Sequence, residues 1–448
     1  MRRSLDQHYL VVKTLLNSAR SLYYDIMQTL KPPGSFWKSI GPSILFVALS
    51  LNGGEMLLWP NLVSNYSLTL LWFVPLILTF QWATNVEISR LTAYNGTFVL
   101  RELASNWILK LFLLGLLIVT LAWPAWMSVA ASTVSYLTQI PPSWIPLIGM
   151  LGMLALLPAW NNKQYYKTLE NAARYGLVVV VISVVSVIGY FLFQGNFVLR
   201  FGSQFWVESK DWPLLYAAVA YGGVAGILNF TQAGWIKSKD YAASNKKVDF
   251  ADPVHQRNFV AWMRFIAIEN GVLFWVGNMV GILLIALIAV NILPQTFVTG
   301  FALIREQLKA LGLITLLLSW MWGIGIVCLF VMAQLTIMDA AGRLFVDVTH
   351  TKESLKPKVS QGFVLLGIGI FGLSFVISSF RQPEFLLQLS AGMASFSFSF
   401  LPLMVLWYNH NHLPKFARPH WWQVSLTVLC SVFYAGMTVI FLVTQFIK

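Results

Sequence analysis

The chain has 448 residues, 57% of them hydrophobic, and a mean hydropathy of +0.69. Ordinary soluble domains are only ~45–50% apolar, so that class is excluded. Thirty Lys and Arg against 17 Asp and Glu leave a net charge of +13; without a basic stripe carrying interleaved aromatics, this charge argues for anionic lipid and against a nucleic-acid partner.

Residues 1–39 are polar with scattered apolar positions and no cleavable signal pattern, and read as an amphipathic cytoplasmic segment. Apolar runs long enough to cross the hydrocarbon core as helices then recur eleven times: 40–63, 67–90, 108–137, 143–160, 171–194, 212–236, 260–291, 308–338, 361–380, 384–408 and 421–446. Residues 40–448 are therefore expected to form one all-α polytopic membrane domain. Most Lys and Arg fall in the N-terminal segment and in alternate loops, among them Arg2, Arg3, Arg90, Arg101, Lys163, Lys237, Lys246, Lys247, Lys352 and Lys356. By the positive-inside rule this places the N-terminus in the cytoplasm of a plasma membrane and, after eleven spans, the C-terminus outside. Trp37, Trp107, Trp144, Trp212, Trp421 and Trp422 suit interfacial belts. Cys328 and Cys430 lie inside predicted helices and read as small apolar residues.

Two spans are interrupted, and in similar ways. The first breaks at Asn52-Gly53-Gly54-Glu55. The sixth breaks at Gly222-Gly223, then Gly226, then Asn229-Phe230-Thr231-Gln232. Unpaired backbone groups in lipid cost several kcal/mol each, so a broken helix survives only where it lines a protein cavity. Five predicted helices start from each broken one. Two inverted repeats follow, about 40–194 and 212–408, with 421–446 as an extra helix. Paired discontinuous helices in two inverted halves are the sequence sign of a transporter's midplane site. The residues expected to line it are Asn52, Gly53, Gly54, Glu55, Gly226, Ile227 and Asn229.

A purely structural alternative stands beside this reading. Asn52-x-x-Glu55 and Asn229-x-x-Gln232 both fit a capping box, in which each Asn satisfies the first amides of the half-helix that follows. Capping does not explain an ionisable Glu55 near the membrane centre, where a charge costs at least ~2.5–3.5 kcal/mol. A bound cation or an aqueous cavity does.

Other intramembrane polar groups are fewer. Glu87 and Arg90 are spaced for an ion pair that anchors the end of the second span. Glu269-Asn270 in the seventh span serves either ion traffic or an interhelical hydrogen bond, and the sequence favours neither. Asp339, expected where the eighth span leaves the membrane, stands four residues before Arg343 and reads as structural. His410 and His412 sit in a loop and read as solvated.

The stretch from Gly41 to Gly96 resembles the Nramp family of divalent metal transporters: Gly41-Pro42 in the first span, Leu71-Trp72 in the second, then Arg90-Leu91 and Gly96. Ala333-Gln334 and Met338-Asp339 in the eighth span resemble that family as well. The resemblance implies an inverted-repeat fold of the leucine-transporter type with discontinuous helices 1 and 6. It also lays Asn52 and Glu55 on the family's metal-binding Asp and Asn. In the sixth helix, Ile227 takes the place of the ion-contacting Met, and Asn229 that of a His. Asn52, Glu55 and Asn229 are then the implied metal ligands. A thioether helps select transition metals; an oxygen-only set suits a harder, partly hydrated ion such as Mg²⁺ or Mn²⁺. The family's acids in helix 3 and Arg in helix 9 have no counterpart here, so proton coupling by that route is not expected.

The leading expectation is a secondary transporter or facilitator of a divalent cation, working by alternating access, with the cation as cargo and no cofactor. Transport of a small organic solute on the same scaffold is the alternative; a non-transporting sensor is the third reading, against which Glu55 argues. No phosphate-binding Gly-x-x-x-x-Gly-Lys-Ser/Thr loop and no nucleophile–base set is present, which argues against ATP-driven transport and against an enzyme. Nothing in the sequence sets the oligomeric state.

Overall fold

A computed structural model describes residues 28–51, 54–120, 126–140, 163–224, 226–295, 298, 300–352, 355–367 and 384–446. Every regular element among them is helical. Seven helical stretches among the described residues are long and apolar enough to cross a membrane. The predicted fourth span and most of the ninth lie outside the described residues.

The first span begins as α1 (Pro42–Ser50). Leu51 leaves the helical region with ψ 85°. The chain resumes as a π-helical turn over Gly54–Leu58, followed by α2 (Trp59–Asn65). α3 (Phe73–Asn95) forms the second span. It stops at Gly96, whose φ of 75° lets its amide reach back to the Thr92 carbonyl at 2.8 Å. A Cβ there would collide with the Ser244 carbonyl, so the loop after the sixth span packs directly on this end. The third span appears as α4 (Trp107–Thr120) and α5 (Trp126–Thr138), the fifth as α6 (Lys163–Phe193). The sixth is again split, into α7 (Trp212–Ala220), a 3₁₀ turn over Gly226–Phe230, and α8 (Thr231–Ser238). The seventh joins α9 (Pro253–Glu269) through a π-helical stretch, Asn270–Val276, to α10 (Gly277–Ile292). Proline in the first turn of α1, α2, α7 and α9 takes a position whose amide has no intrahelical partner in any case.

The eighth span differs from its predicted boundaries of 308–338. An amphipathic helix α11 (Phe301–Ile314) ends at Thr315, which is extended (φ −151°, ψ 142°) and caps the amide of Leu318 at 3.2 Å. The span proper is α12 (Leu316–Val348). A continuous apolar run concealed this stop, because one extended Thr leaves hydropathy unchanged. Asp339 lies within α12 and is fully buried. The described part of the ninth span is α13 (Lys356–Gly367). The tenth divides into α14 (Glu384–Phe398) and α15 (Leu401–His412), with Pro402 in the first turn of the second piece. α16 (Trp421–Phe446) is last.

Burial separates centre from rim. The most apolar stretch of the broken first span is 100% buried, against 28% in the fifth. α6 turns Val178, Val181, Ile182 and Val185 outward, as a lipid-facing helix does. Trp37, Trp107 and Trp421 are exposed, and Trp212 is half-buried. The Glu87–Arg90 pair forms as expected, at 2.7 Å, with both side chains buried. Arg90 also donates to the Ala417 carbonyl (3.2 Å) and to Gln423 Oε1 (3.0 Å), tying the end of α3 to the start of α16.

Candidate functional site

The two breaks meet. Gly54, at the restart of the first span, lies so close to the end of α7 that a Cβ on it would collide with the Tyr221 carbonyl oxygen. Only glycine allows this approach of backbone to backbone. Two residues further along the sixth span, a Cβ on Gly223 would strike the Gln81 carboxamide. Gly226, at φ 60°, faces Ser397 and the Ala394 backbone of α14, where a Cβ would lie 2.6 and 2.8 Å from Ser397 Oγ and Ala394 Cα. The interrupted stretch of the sixth span is thus held between the first span, α3 and α14.

Its hydrogen bonds are supplied from a distance in sequence. Gln81 Oε1 accepts from the Val224 amide at 3.0 Å, and its Nε2 donates to the Tyr434 hydroxyl at 3.2 Å. Tyr221 and Ser390 share a hydroxyl–hydroxyl bond of 2.5 Å. None of Gln81, Tyr434, Tyr221 and Ser390 stands out in the sequence as a site residue. An amide in the apolar run 77–83 was the available signal for Gln81.

The expected site residues divide into two groups. Asn52 and Gly53 lie outside the described residues. Gly54, Glu55, Gly226, Ile227 and Asn229 are described, and all are buried. Glu55 is the second residue of the π-helical turn, with no solvent exposure. Ile227 is equally enclosed.

The capping role predicted for Asn229 is not what forms. Asn229 lies inside the 3₁₀ turn, its Nδ2 donating to the Gly226 carbonyl at 3.2 Å. The residue preceding α8 is Phe230, and no side chain caps that helix. Asn229 Oδ1 is buried and meets no donor among the described residues; the same holds for Thr231 Oγ1 and for both polar atoms of Gln232. A turn of 3₁₀ inserted before α8 moves the helix start downstream of the predicted cap. Buried polar atoms are nearly always satisfied, by protein or by something bound. Four such atoms fall within the four residues from Asn229 to Gln232. Asn85 on α3 has a buried carboxamide that likewise meets no partner among the described residues.

Glu269, open between ion traffic and hydrogen bonding in the sequence, is engaged with the backbone. Its Oε1 accepts from the amides of Gly41 (2.9 Å) and Ser43 (3.2 Å) at the start of α1, and its Oε2 accepts from the Tyr241 hydroxyl (3.0 Å). Burial, and then the facing Glu269 carboxylate, hold the Tyr241 hydroxyl far above the usual phenol range, so it remains a donor. Beside this cap, Lys239 pairs with Glu170 at 2.7 Å. Asp339 accepts from Arg343 Nε (2.8 Å) and from Trp235 Nε1 (2.7 Å), joining α12 to α8, the structural role expected of it. Among the described residues no group of three or more His, Cys, Asp or Glu is placed to hold a metal. A cation at the break would therefore rely on Glu55, neutral side-chain oxygens and free carbonyls. His410 and His412 lie in the last turn of α15 and not in a loop, and the His412 ring stacks on Tyr408 with ring centroids 3.8 Å apart.

No protein-family model matches the chain, and no curated protein sequence is similar to it. Solved structures are. A manganese transporter of Eremococcus coleocola, in a mutant form, superposes with a TM-score of 0.69 at 14% identity, covering 94% of this chain and 90% of that one. The same transporter in complex with an aromatic bis-isothiourea compound gives 0.67 at 14% identity, over 93% and 89%. Mhp1, a nucleobase-cation-symport-1 family transporter, in a closed conformation with bromovinylhydantoin bound, gives 0.57 at 12% identity, over 94% and 92%. At such identities the likeness is one of fold alone: this chain is an all-helical, multi-pass membrane protein with a leucine-transporter-type fold, and its two interrupted helices are in contact.

Proposed function

We propose that the chain is a secondary transporter or facilitator of a hard divalent cation, Mg²⁺ or Mn²⁺, moved by alternating access around the two breaks. The observation that carries this reading is the chemistry of the break. A buried carboxylate, Glu55, enters from the first span, and neutral oxygens of Asn229 and Thr231, unpartnered among the described residues, enter from the sixth. Oxygen donors without sulfur or imidazole suit a hard ion that keeps part of its water. Ile227, fully buried beside them, offers a transition metal nothing. That the E. coleocola structure is a manganese transporter supports the same class of cargo.

Glu55, Asn229 and, by sequence, Asn52 are the proposed ligands, with Gly54 and Gly226 admitting close backbone approach. Coupling to protons along an acid chain in the third span has no support, since 107–138 contain no Asp or Glu. The proposed orientation keeps the Lys- and Arg-rich loops in the cytoplasm of a plasma membrane.

Liposome flux screened across Mg²⁺, Mn²⁺ and Ca²⁺, with and without a pH gradient, tests this. Cation flux that persists at equal pH is the expected result; obligatory, stoichiometric proton movement would overturn the coupling reading. A second reading, a small polar organic solute as cargo, is favoured by one observation: Gln232 presents both an unpartnered donor and an unpartnered acceptor among the described residues. Absence of flux for every cation tested would promote it.

A further inference from the structure

α16 is an outer helix with an inward polar stripe. Val428, Leu429, Val432 and Val439 are exposed, as residues that face lipid are. Gln423, Thr427, Cys430, Ser431 and Tyr434 are buried. Their spacing of i, i+4, i+7, i+8 and i+11 puts them in one stripe about 16 Å long. The stripe lies against α3, which runs the opposite way. Arg90 meets Gln423 at one end (3.0 Å), Thr84 meets Cys430 midway, and Gln81 meets Tyr434 at the other end (3.2 Å). Asn85 stands one helical turn from Gln81 on the same face of α3.

The two ends of this seam are hydrogen-bonded, whereas polar atoms between them are left over. Both polar atoms of the Asn85 carboxamide, Thr427 Oγ1 and Ser431 Oγ are buried and meet no partner among the described residues. Thr427 and Ser431 could each close on the carbonyl four residues back, a bond open to any helical Ser or Thr. Ser425 and Thr438 of the same helix make that bond, at 3.1 and 2.8 Å. Thr427 and Ser431 do not. A buried polar atom left without a partner costs its full desolvation, so these atoms call for a small partner that both donates and accepts. A cation does not qualify, because the Asn85 Nδ2 group only donates. Water does, and bound water is a regular part of protein interiors where polar groups converge.

We propose that the interface of α3 and α16 is a hydrated seam: a file of buried water, bound by Asn85, Thr427 and Ser431, links the Arg90–Gln423 end to Gln81 behind the second break. Gln81 accepts from the Val224 amide and lies against Gly223. Water in the seam lets its carboxamide shift there without stranding a hydrogen bond. The seam uses none of the proposed cation ligands and holds whatever species is carried, so its failure and the failure of the cation reading are separable.

X-ray radiolysis of the full chain in nanodiscs tests this, because hydroxyl radicals made from bound water oxidise the side chains beside it. Oxidation is mapped by mass spectrometry. Cys430 and Tyr434 are the reporters, and Phe274, equally buried and packed on the ring of Phe46, is the dry reference. In the parent chain both reporters are expected to oxidise faster than Phe274. Thr427→Val keeps the shape and loses the hydroxyl; it should slow both about five-fold, the equivalent of one hydrogen bond. Ser431→Ala should act in the same direction. Thermal melting gives an independent sign. In a hydrated seam Thr427→Val strands a water and lowers the melting temperature, whereas in a dry interface it removes an unsatisfied hydroxyl and raises it. Reporters that oxidise no faster than Phe274 in the parent would overturn the proposal, and that measurement decides alone if the variants fail to fold. A raised melting temperature with unchanged oxidation in Thr427→Val would overturn it as well.

Discussion

The two breaks occupy equivalent places in the two halves of the fold, yet they are built differently. The first restarts in a π-helical turn that carries a buried carboxylate, Glu55. The second restarts in a 3₁₀ turn lined with neutral groups, of which Asn229 Oδ1, Thr231 Oγ1 and the Gln232 carboxamide have no partner among the described residues. Their backbones are supported differently as well. Gly54 abuts the Tyr221 carbonyl, backbone against backbone. Gly223 abuts the side chain of Gln81, which also accepts from the Val224 amide. The difference teaches that fold symmetry does not impose chemical symmetry. One half contributes charge and a rigid contact; the other contributes neutral oxygen and an adjustable one.

The largest test of this asymmetry is steric. Gly54→Ala is expected to destabilise by about 3 kcal/mol, because neither backbone can yield. Gly223→Ala should cost only about 1 kcal/mol, since a side chain can shift. Thermal unfolding in detergent reads the difference, and equal losses would erase the distinction between a rigid and an adjustable contact.

Charge is the next test. Glu55→Gln is expected to weaken cation binding by about 2 kcal/mol, roughly thirty-fold, because a charged ligand is replaced by a neutral one of the same volume. Asn229→Ala should cost about 1 kcal/mol, roughly five-fold. Titration calorimetry with Mg²⁺ or Mn²⁺ ranks them. A larger loss in Asn229→Ala would move the principal ligand to the second break, and no loss in Glu55→Gln would retire the cation reading.

The smallest effects belong to the support of the second break. Gln81→Leu strands the buried Val224 amide and should lower stability by about 1–2 kcal/mol. Tyr434→Phe removes only the acceptor of Gln81 Nε2, with about 0.5–1 kcal/mol expected. Denaturation midpoints that reverse this order would show that Tyr434, rather than Gln81, holds the interrupted stretch.

How much of this was legible in the chain depended on the range of the interaction. Both interruptions were readable, because Gly and Asn in an apolar run are local events and lipid leaves unsatisfied backbone no other outcome. The Glu87–Arg90 pair was readable for the same reason, since three residues on a helix place two side chains together. The eighth span was misplaced because the stop at Thr315 depends on one residue's backbone angles. The capping box at Asn229 failed because the sequence pattern does not suffice for a cap, and a 3₁₀ turn shifted the helix start beyond it.

By itself, the sequence determined the environment, the helical class and the positions of the two breaks, all of which follow from hydropathy and local backbone preference. Only the tertiary structure decided which side chains complete them. Gln81 serves Val224, Tyr434 serves Gln81, and Glu269 serves Gly41 and Ser43, across separations from 143 to 353 residues. No local periodicity encodes such pairs. They are selected when packing brings buried donors to buried acceptors and the cost of leaving either unpaired decides the match.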